Sequence, residues 1–188
     1  VVFTLLGKLF RVPAEGGAAE QLTFGFGWDS EPAVSPDGAR VAFVSDRDGS
    51  GGNVFVLDVA DGAVTRLTSE VEAGSPRWSP DGTAIAYLRH FRREEAPGDP
   101  GYGGAGVMEP KTVPAAGGEA RSVAPPAGFG AIFYWPDGRL GWAAPDPKGG
   151  GGPFGPRKML LQALSDDGAV STLATAADSF GPVVLAPK

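Results

Sequence analysis

The 188-residue sequence contains no cysteine and a single histidine, His90. The first absence excludes disulfides, thiol catalysis and thiolate metal ligation. The second excludes a multi-histidine metal centre, so no metal and no cofactor is expected. No apolar run approaches the ~20 residues a membrane-spanning helix requires, so membrane insertion is not expected. Basic residues are outnumbered, 16 Lys and Arg against 22 Asp and Glu, for a formal charge of −6. Without a basic stripe to displace counterions from phosphates, a nucleic-acid partner is not expected. The chain opens on Val1 rather than Met, as expected of a processed or excerpted piece whose signal peptide, if it has one, would lie outside.

What the chain does have is turn formers, 30 Gly and 18 Pro, in a composition that is 42% hydrophobic and 20% charged. That is a globular composition with many short elements. The turns are periodic. VPAEGGAAEQLT, DVADGAVTRLT, VPAAGGEARSV and LSDDGAVSTL each place Gly17, Gly62, Gly118 or Gly168 five residues before an apolar position. Interleaved with them are AVSPDGARVAFVSD, RWSPDGTAIAYLR and YWPDGRLGWAA, which carry Asp37, Asp81 and Asp137. Two signals locked in phase at a period of ~45 residues suit a propeller blade of four strands. Helical repeats of that length are disfavoured, because Pro and Gly would interrupt every candidate helix.

The fold class expected is therefore all-β: a β-propeller of four-stranded antiparallel blades, about four of them. Residues 1–188 form one propeller domain or propeller segment, with blades at roughly 1–23 plus 179–188, 28–68, 74–123 and 128–173. In each Ser-Pro-Asp-Gly, Pro fits the fixed φ of the second turn position and Gly38 or Gly82 supplies the positive φ that returns the chain to a strand. The strand that follows, Val41–Val44 or Ile85–Leu88, is apolar on both faces, as a strand covered by a neighbouring blade on each side must be. The third copy, Asp137-Gly138-Arg139-Leu140, is one residue shorter, and Trp142 takes the place of Phe43 and Tyr87. The outer hairpin from Asn53 to Thr68 reads as the more polar, exposed edge. With strands lettered A to D from axis to rim, Val1–Leu5 and Lys8–Val12 read as B and C. Gly181–Pro187 reads as a lone A strand. Either the two ends meet and close a ring, or a larger propeller is cut in phase, in which case self-association through the open edge is expected.

These residues resemble the TolB-type propeller repeat, the WD-like repeat marked by a Ser-Pro-Asp-Gly turn. The stretch from Val1 to Leu88 is most similar, residues 108 to 188 more loosely so. The resemblance implies an extracytoplasmic, periplasmic setting. It also implies one of two roles: a propeller that binds proteins, as in TolB, or a module fused to amidohydrolases, tricorn-like proteases or prolyl-oligopeptidase-like peptidases. Because the repeated residues are scaffold, it speaks for fold more than for function.

No catalytic residue is assigned. Asp37, Gly38, Asp81, Gly82, Asp137 and Gly138 are accounted for by turn chemistry and are spread around the ring. The run Ser45 to Asn53 lacks the spacing and bidentate acid of a calcium loop, and a Gly-rich connection is the better account. His90 has no Gly-x-Ser-x-Gly partner and reads as a loop histidine. Long insertions at 89–107 and 144–157 are both B–C connections, which emerge on the same face as the D–A connections. On that face fall the binding candidates Trp28, Asp29, Glu31, Glu72, Arg89, His90 and Arg92, with Glu70 beside them. Trp28 reads either as an exposed anchor next to acids on a rigid scaffold or as a Trp packed between blades. The function expected is non-catalytic binding of a protein or peptide through the loop face. The alternative is an accessory, substrate-gating propeller of a larger hydrolase.

The composition carries a direct test. Melting with and without EDTA should give the same Tm; a loss of more than ~3 °C, about 1 kcal/mol for a domain of this size, would reveal a structural metal.

Overall fold

The computed structural model describes residues 1–70, 72–91, 107–126, 131–146, 158–165 and 168–176. Among these residues every regular element is a β-strand, and the strands form four antiparallel sheets whose order follows the chain. The first sheet holds β1 (Val2–Leu5), β2 (Lys8–Arg11) and β3 (Glu20–Gln21). The second holds β4 (Asp29–Val34), β5 (Arg40–Ser45), β6 (Asn53–Asp58) and β7 (Val64–Arg66). The third holds β8 (Ala73–Trp78), β9 (Ala84–His90), β10 (Met108–Pro114) and β11 (Arg121–Ser122). The fourth holds β12 (Ala131–Tyr134), β13 (Leu140–Pro145), β14 (Met159–Leu164) and β15 (Val170–Ala176). This is the β-propeller the repeats announced, with about four blades. The expected strand at Gly181–Pro187 lies outside the described residues, as do most of both long insertions.

Three apolar clusters join the sheets in series. Val41, Phe43, Phe55 and Leu57 pack with Leu9 between the first and second sheets. Ala42, Val54 and Val56 face the other way and pack with Ala73, Trp78, Ile85, Tyr87 and Val113 of the third. Ala86 and Leu88 turn from there onto Ile132, Leu140 and Trp142 of the fourth. Alternation along β5 and β9 thus sends odd and even side chains into different interfaces, which is why both strands are apolar on both faces. Phe43, Tyr87 and Trp142 each fill the interface with the preceding sheet. One expectation needs correction: β6 is not a polar outer strand, since Asn53 to Leu57 are all buried. Its side chains also alternate between two clusters, and only β7 is exposed.

The Ser-Pro-Asp-Gly turns repeat atom for atom. Ser35 Oγ donates to Asp37 Oδ1 at 2.5 Å and accepts from Arg40 N at 2.9 Å, while Gly38 N donates to Ser35 O at 2.9 Å. Ser79, Asp81, Gly82 and Ala84 make the same bonds at 2.5, 2.9 and 3.0 Å. The bond from the serine hydroxyl, followed by that from the backbone of Ala39 or Thr83, holds each Asp carboxyl below its ordinary value, with the Arg40 charge adding at Asp37 and the Thr83 hydroxyl at Asp81. In the third copy Trp135 stands in the serine position and its N–H reaches Arg139 O at 2.8 Å, closing the turn one residue sooner. The indole then lies against Gly141, where a Cβ would come within 2.0 Å of Trp135 Cζ3.

The first strands of the second and third sheets share an irregularity. Register shifts between Ser30 and Ala33 and between Gly74 and Arg77. Glu31 and Ser75 sit at those bulges with φ of 52° and 54°, each directly before a proline.

Gly82 has φ of +70° and nothing closer than Pro36 Cδ, 3.7 Å from where a Cβ would be. Its substitution therefore tests the backbone alone. Gly82→Val should lower stability by roughly 1–3 kcal/mol, while Gly82→Asn, tolerant of positive φ, should lose much less in the same denaturant titration. Equal stability of Gly82→Val and the parent would refute the turn assignment.

Candidate functional site

Four connections converge at one end of the first three sheets, and hydrogen bonds stitch them in sequence. Asp29 N donates to Gly7 O at 2.9 Å, joining the β3–β4 connection to the β1–β2 turn. Trp28 N donates to Asp46 Oδ1 at 2.6 Å, joining it to the β5–β6 loop. That loop is tied onward by Ala73 N to Gly52 O at 2.7 Å and by Asn53 Nδ2 to Glu70 O at 3.1 Å. Glycine permits these approaches: at Gly27, φ +106°, a Cβ would lie 2.7 Å from Arg47 Cα. At Gly7 it would lie 2.8 Å from the ring of Trp28.

Beneath this surface is a polar floor. Asp29 is fully buried; its Oδ1 accepts from Ser45 Oγ at 2.6 Å and Arg47 Nη2 at 2.9 Å, while Oδ2 has no partner. The Arg47 guanidinium also covers the rings of Phe43 and Phe55, at 5.0 and 5.4 Å from their centroids. A second hub is Glu70, whose Oε1 accepts from Tyr87 Oη at 3.0 Å and Lys111 Nζ at 2.7 Å. Arg89 Nε lies 3.1 Å from Glu70 Oε2, an ion pair at an angle too poor for a hydrogen bond, and its Nη1 is 3.5 Å from Glu109 Oε2. Burial acts to raise the Glu70 carboxyl, but the bonds from Lys111 and Tyr87 and the charges of Lys111 and Arg89 outweigh it and hold it below its usual value. Burial first, then the Glu70 charge, pushes the Tyr87 hydroxyl far up, so it stays a donor.

The sequence-derived candidates therefore divide. Trp28 is 62% exposed, Glu31 and Glu72 are exposed, and Glu31 Oε2 accepts from Ser75 N at 2.6 Å. His90 is half-buried, its N–H bonded to Glu72 O at 2.8 Å and its Nε2 close to Gly74. Asp29 and Arg89 are held inside the polar floor. Arg92 lies outside the described residues. Among the described residues no group of three or more His, Asp or Glu side chains is placed to hold a metal ion.

Sequence reasoning missed the most exposed part of this face. Leu5, Leu6, Phe24 and Phe26 are 52%, 85%, 69% and 98% exposed, and with Trp28 they are the exposed apolar residues of two connections that the Asp29 N–Gly7 O bond and the approach of Trp28 to Gly7 hold together. The signal was present in Phe24-Gly25-Phe26-Gly27-Trp28, an aromatic at every second position of a connection rather than a strand. Ser45 of the polar floor is fully buried, its hydroxyl donating to Asp29 Oδ1.

Comparison with known proteins agrees with the fold. Residues 6–96 match the TolB beta propeller domain. The uncharacterized peptidase YuxL of Bacillus subtilis is 34% identical over 70 residues, which is 37% of this chain and 11% of YuxL. Tricorn protease homolog 1 of Streptomyces coelicolor is 33% identical over 88 residues, 46% of this chain and 8% of the homolog. The chain thus spans a small part of the length of these two relatives. Among solved structures, TolB from Acinetobacter baumannii superposes with a TM-score of 0.65 at 18% identity, over 88% of this chain and 37% of that one. Sheets, turns and matched repeats agree: the chain is a β-propeller, and its residues 6–96 are similar to the TolB beta propeller domain.

Proposed function

We propose that the chain is a non-catalytic propeller that binds a protein or peptide partner through its loop face, in an extracytoplasmic setting of the kind its TolB resemblance implies. The observation that carries this reading is the exposure of Leu6, Phe24, Phe26 and Trp28 on connections fastened to rigid sheets. Exposed aromatics on a preorganised support lose little conformational freedom on binding, and that is where interface free energy concentrates. Packing offers no competing reason for them, since the three apolar clusters form without any of the four.

A second reading is favoured by the peptidase relatives, of which this chain spans 11% and 8%. In it the propeller stands beside a catalytic domain encoded in the same gene and orients or admits its substrate. A metal-binding His-x-His or a serine elbow in the adjoining gene sequence would favour that reading over the first.

Replacing Phe26 by Ser and Trp28 by Ala together tests the loop face. Partner capture from an extract of the source cells should fall by at least ~30-fold, about 2 kcal/mol, with the Tm unchanged. Undiminished capture by this variant would refute the proposal.

A further inference from the structure

The charges around the apolar patch are arranged unevenly. On and beneath the loop face the described arginines are internally neutralised: Arg47 by Asp29, Arg66 by Asp48, and Arg89 by Glu70 and Glu109. Lys111 is likewise held by Glu70. The patch's own cation, Lys8, has its Nζ bound to Gly27 O. The exposed carboxylates have no such partners. Asp46 Oδ1 receives the Trp28 N–H, Glu31 Oε2 receives the Ser75 N–H, and neither they nor Glu72 form an ion pair among the described residues. Asp46 touches the segment that carries the aromatics. Glu31 lies three residues beyond Trp28, and Glu72 lies on the next connection, its carbonyl bonded to His90 N at 2.8 Å.

We propose that the Leu6–Phe24–Phe26–Trp28 patch docks a cationic, apolar peptide segment, one in which Lys or Arg is interleaved with aromatic or aliphatic anchors. This rests on the loop-face reading given above and specifies the partner's chemistry. Anchors laid against Phe24, Phe26 and Trp28 remove apolar surface from water on both sides. Cations between the anchors are attracted by Glu31, Asp46 and Glu72, which form no ion pair among the described residues and outnumber Lys8, whose bond to a carbonyl leaves its charge in place. An Arg or Lys of the segment also meets the exposed indole of Trp28 face on, a favourable cation–ring contact. A segment with acidic residues in those positions meets like charge at the rim and is rejected by it. The formal charge of −6 on the chain acts in the same direction at longer range.

The test uses the full chain and three labelled nine-residue peptides: alternating Lys and Phe, alternating Glu and Phe, and alternating Lys and Ser. Fluorescence anisotropy should show the Lys–Phe peptide binding at least about tenfold more tightly than either of the others. The variant Glu31→Gln, Asp46→Asn, Glu72→Gln keeps each hydrogen-bond acceptor while removing the charges. It should weaken Lys–Phe binding about fivefold and flatten its salt dependence. Phe26→Ser with Trp28→Ala should weaken it at least about tenfold. Equal binding of the Glu–Phe peptide, or indifference to the triple variant, would overturn the charge assignment. If the Phe26 and Trp28 changes still abolished binding, the loop-face reading would survive. Lys–Phe binding that persists without both aromatics would be attraction to an acidic chain at large and would overturn the docking site. Absence of binding by every peptide would overturn it equally.

Discussion

Everything in this molecule depends on strands that are buried on both faces. A sheet with one apolar face can cover it with a single partner, but β5, β6 and β9 present apolar side chains up and down and so require a sheet on either side. None of the three clusters lies within one sheet; each is built from two. A blade therefore contributes half of two cores and owns none, which is the physical meaning of a repeat architecture. The geometry of the loop face follows from this, because stacking successive sheets brings their B–C and D–A connections to the same end.

The fold was legible in the sequence because its determinants are local and recur. Ser35-Pro36-Asp37-Gly38 and Ser79-Pro80-Asp81-Gly82 encode their own hydrogen bonds within six residues, and the apolar runs behind them encode burial on two sides. Asn53 to Leu57 was misjudged for the reverse reason. Its polar first residue and its place in an outer hairpin suggested an edge, whereas burial there is decided by Leu9 on one side and by Ala73 on the other. Asn53 itself is buried because Thr68 and Glu70 N satisfy its carbonyl oxygen, a pairing across some fifteen residues that no local pattern reveals.

The candidate face was legible only in outline. Trp28, Glu31 and Glu72 could be placed on it from strand order alone. That Asp29 lies under it, clamped by Ser45 and Arg47, is a tertiary fact: both partners belong to the neighbouring strand and its loop. An aromatic in a repeat protein ordinarily packs between blades, which is the default for Phe24 and Phe26. Gly25 and Gly27, at φ +81° and +106°, turn the chain so that these two do not.

The junction between the second and third sheets is pinned along its whole depth. At the loop face Ser75 N reaches Glu31 Oε2; midway Trp78 Nε1 reaches Ala33 O at 2.8 Å; at the turn end Arg40 Nη2 reaches Gly82 O at 3.3 Å, its guanidinium 4.7 Å from the Trp78 ring centroid. Apolar contacts alone tolerate a small slip of one sheet over another, since greasy surfaces exchange neighbours at little cost. Directional bonds at top, middle and bottom do not. These two sheets consequently move as a single plate. A torque applied at the loop face near Glu31 and Glu72 would be carried through to the turns at the other end of the strands, instead of being dissipated as shear between blades.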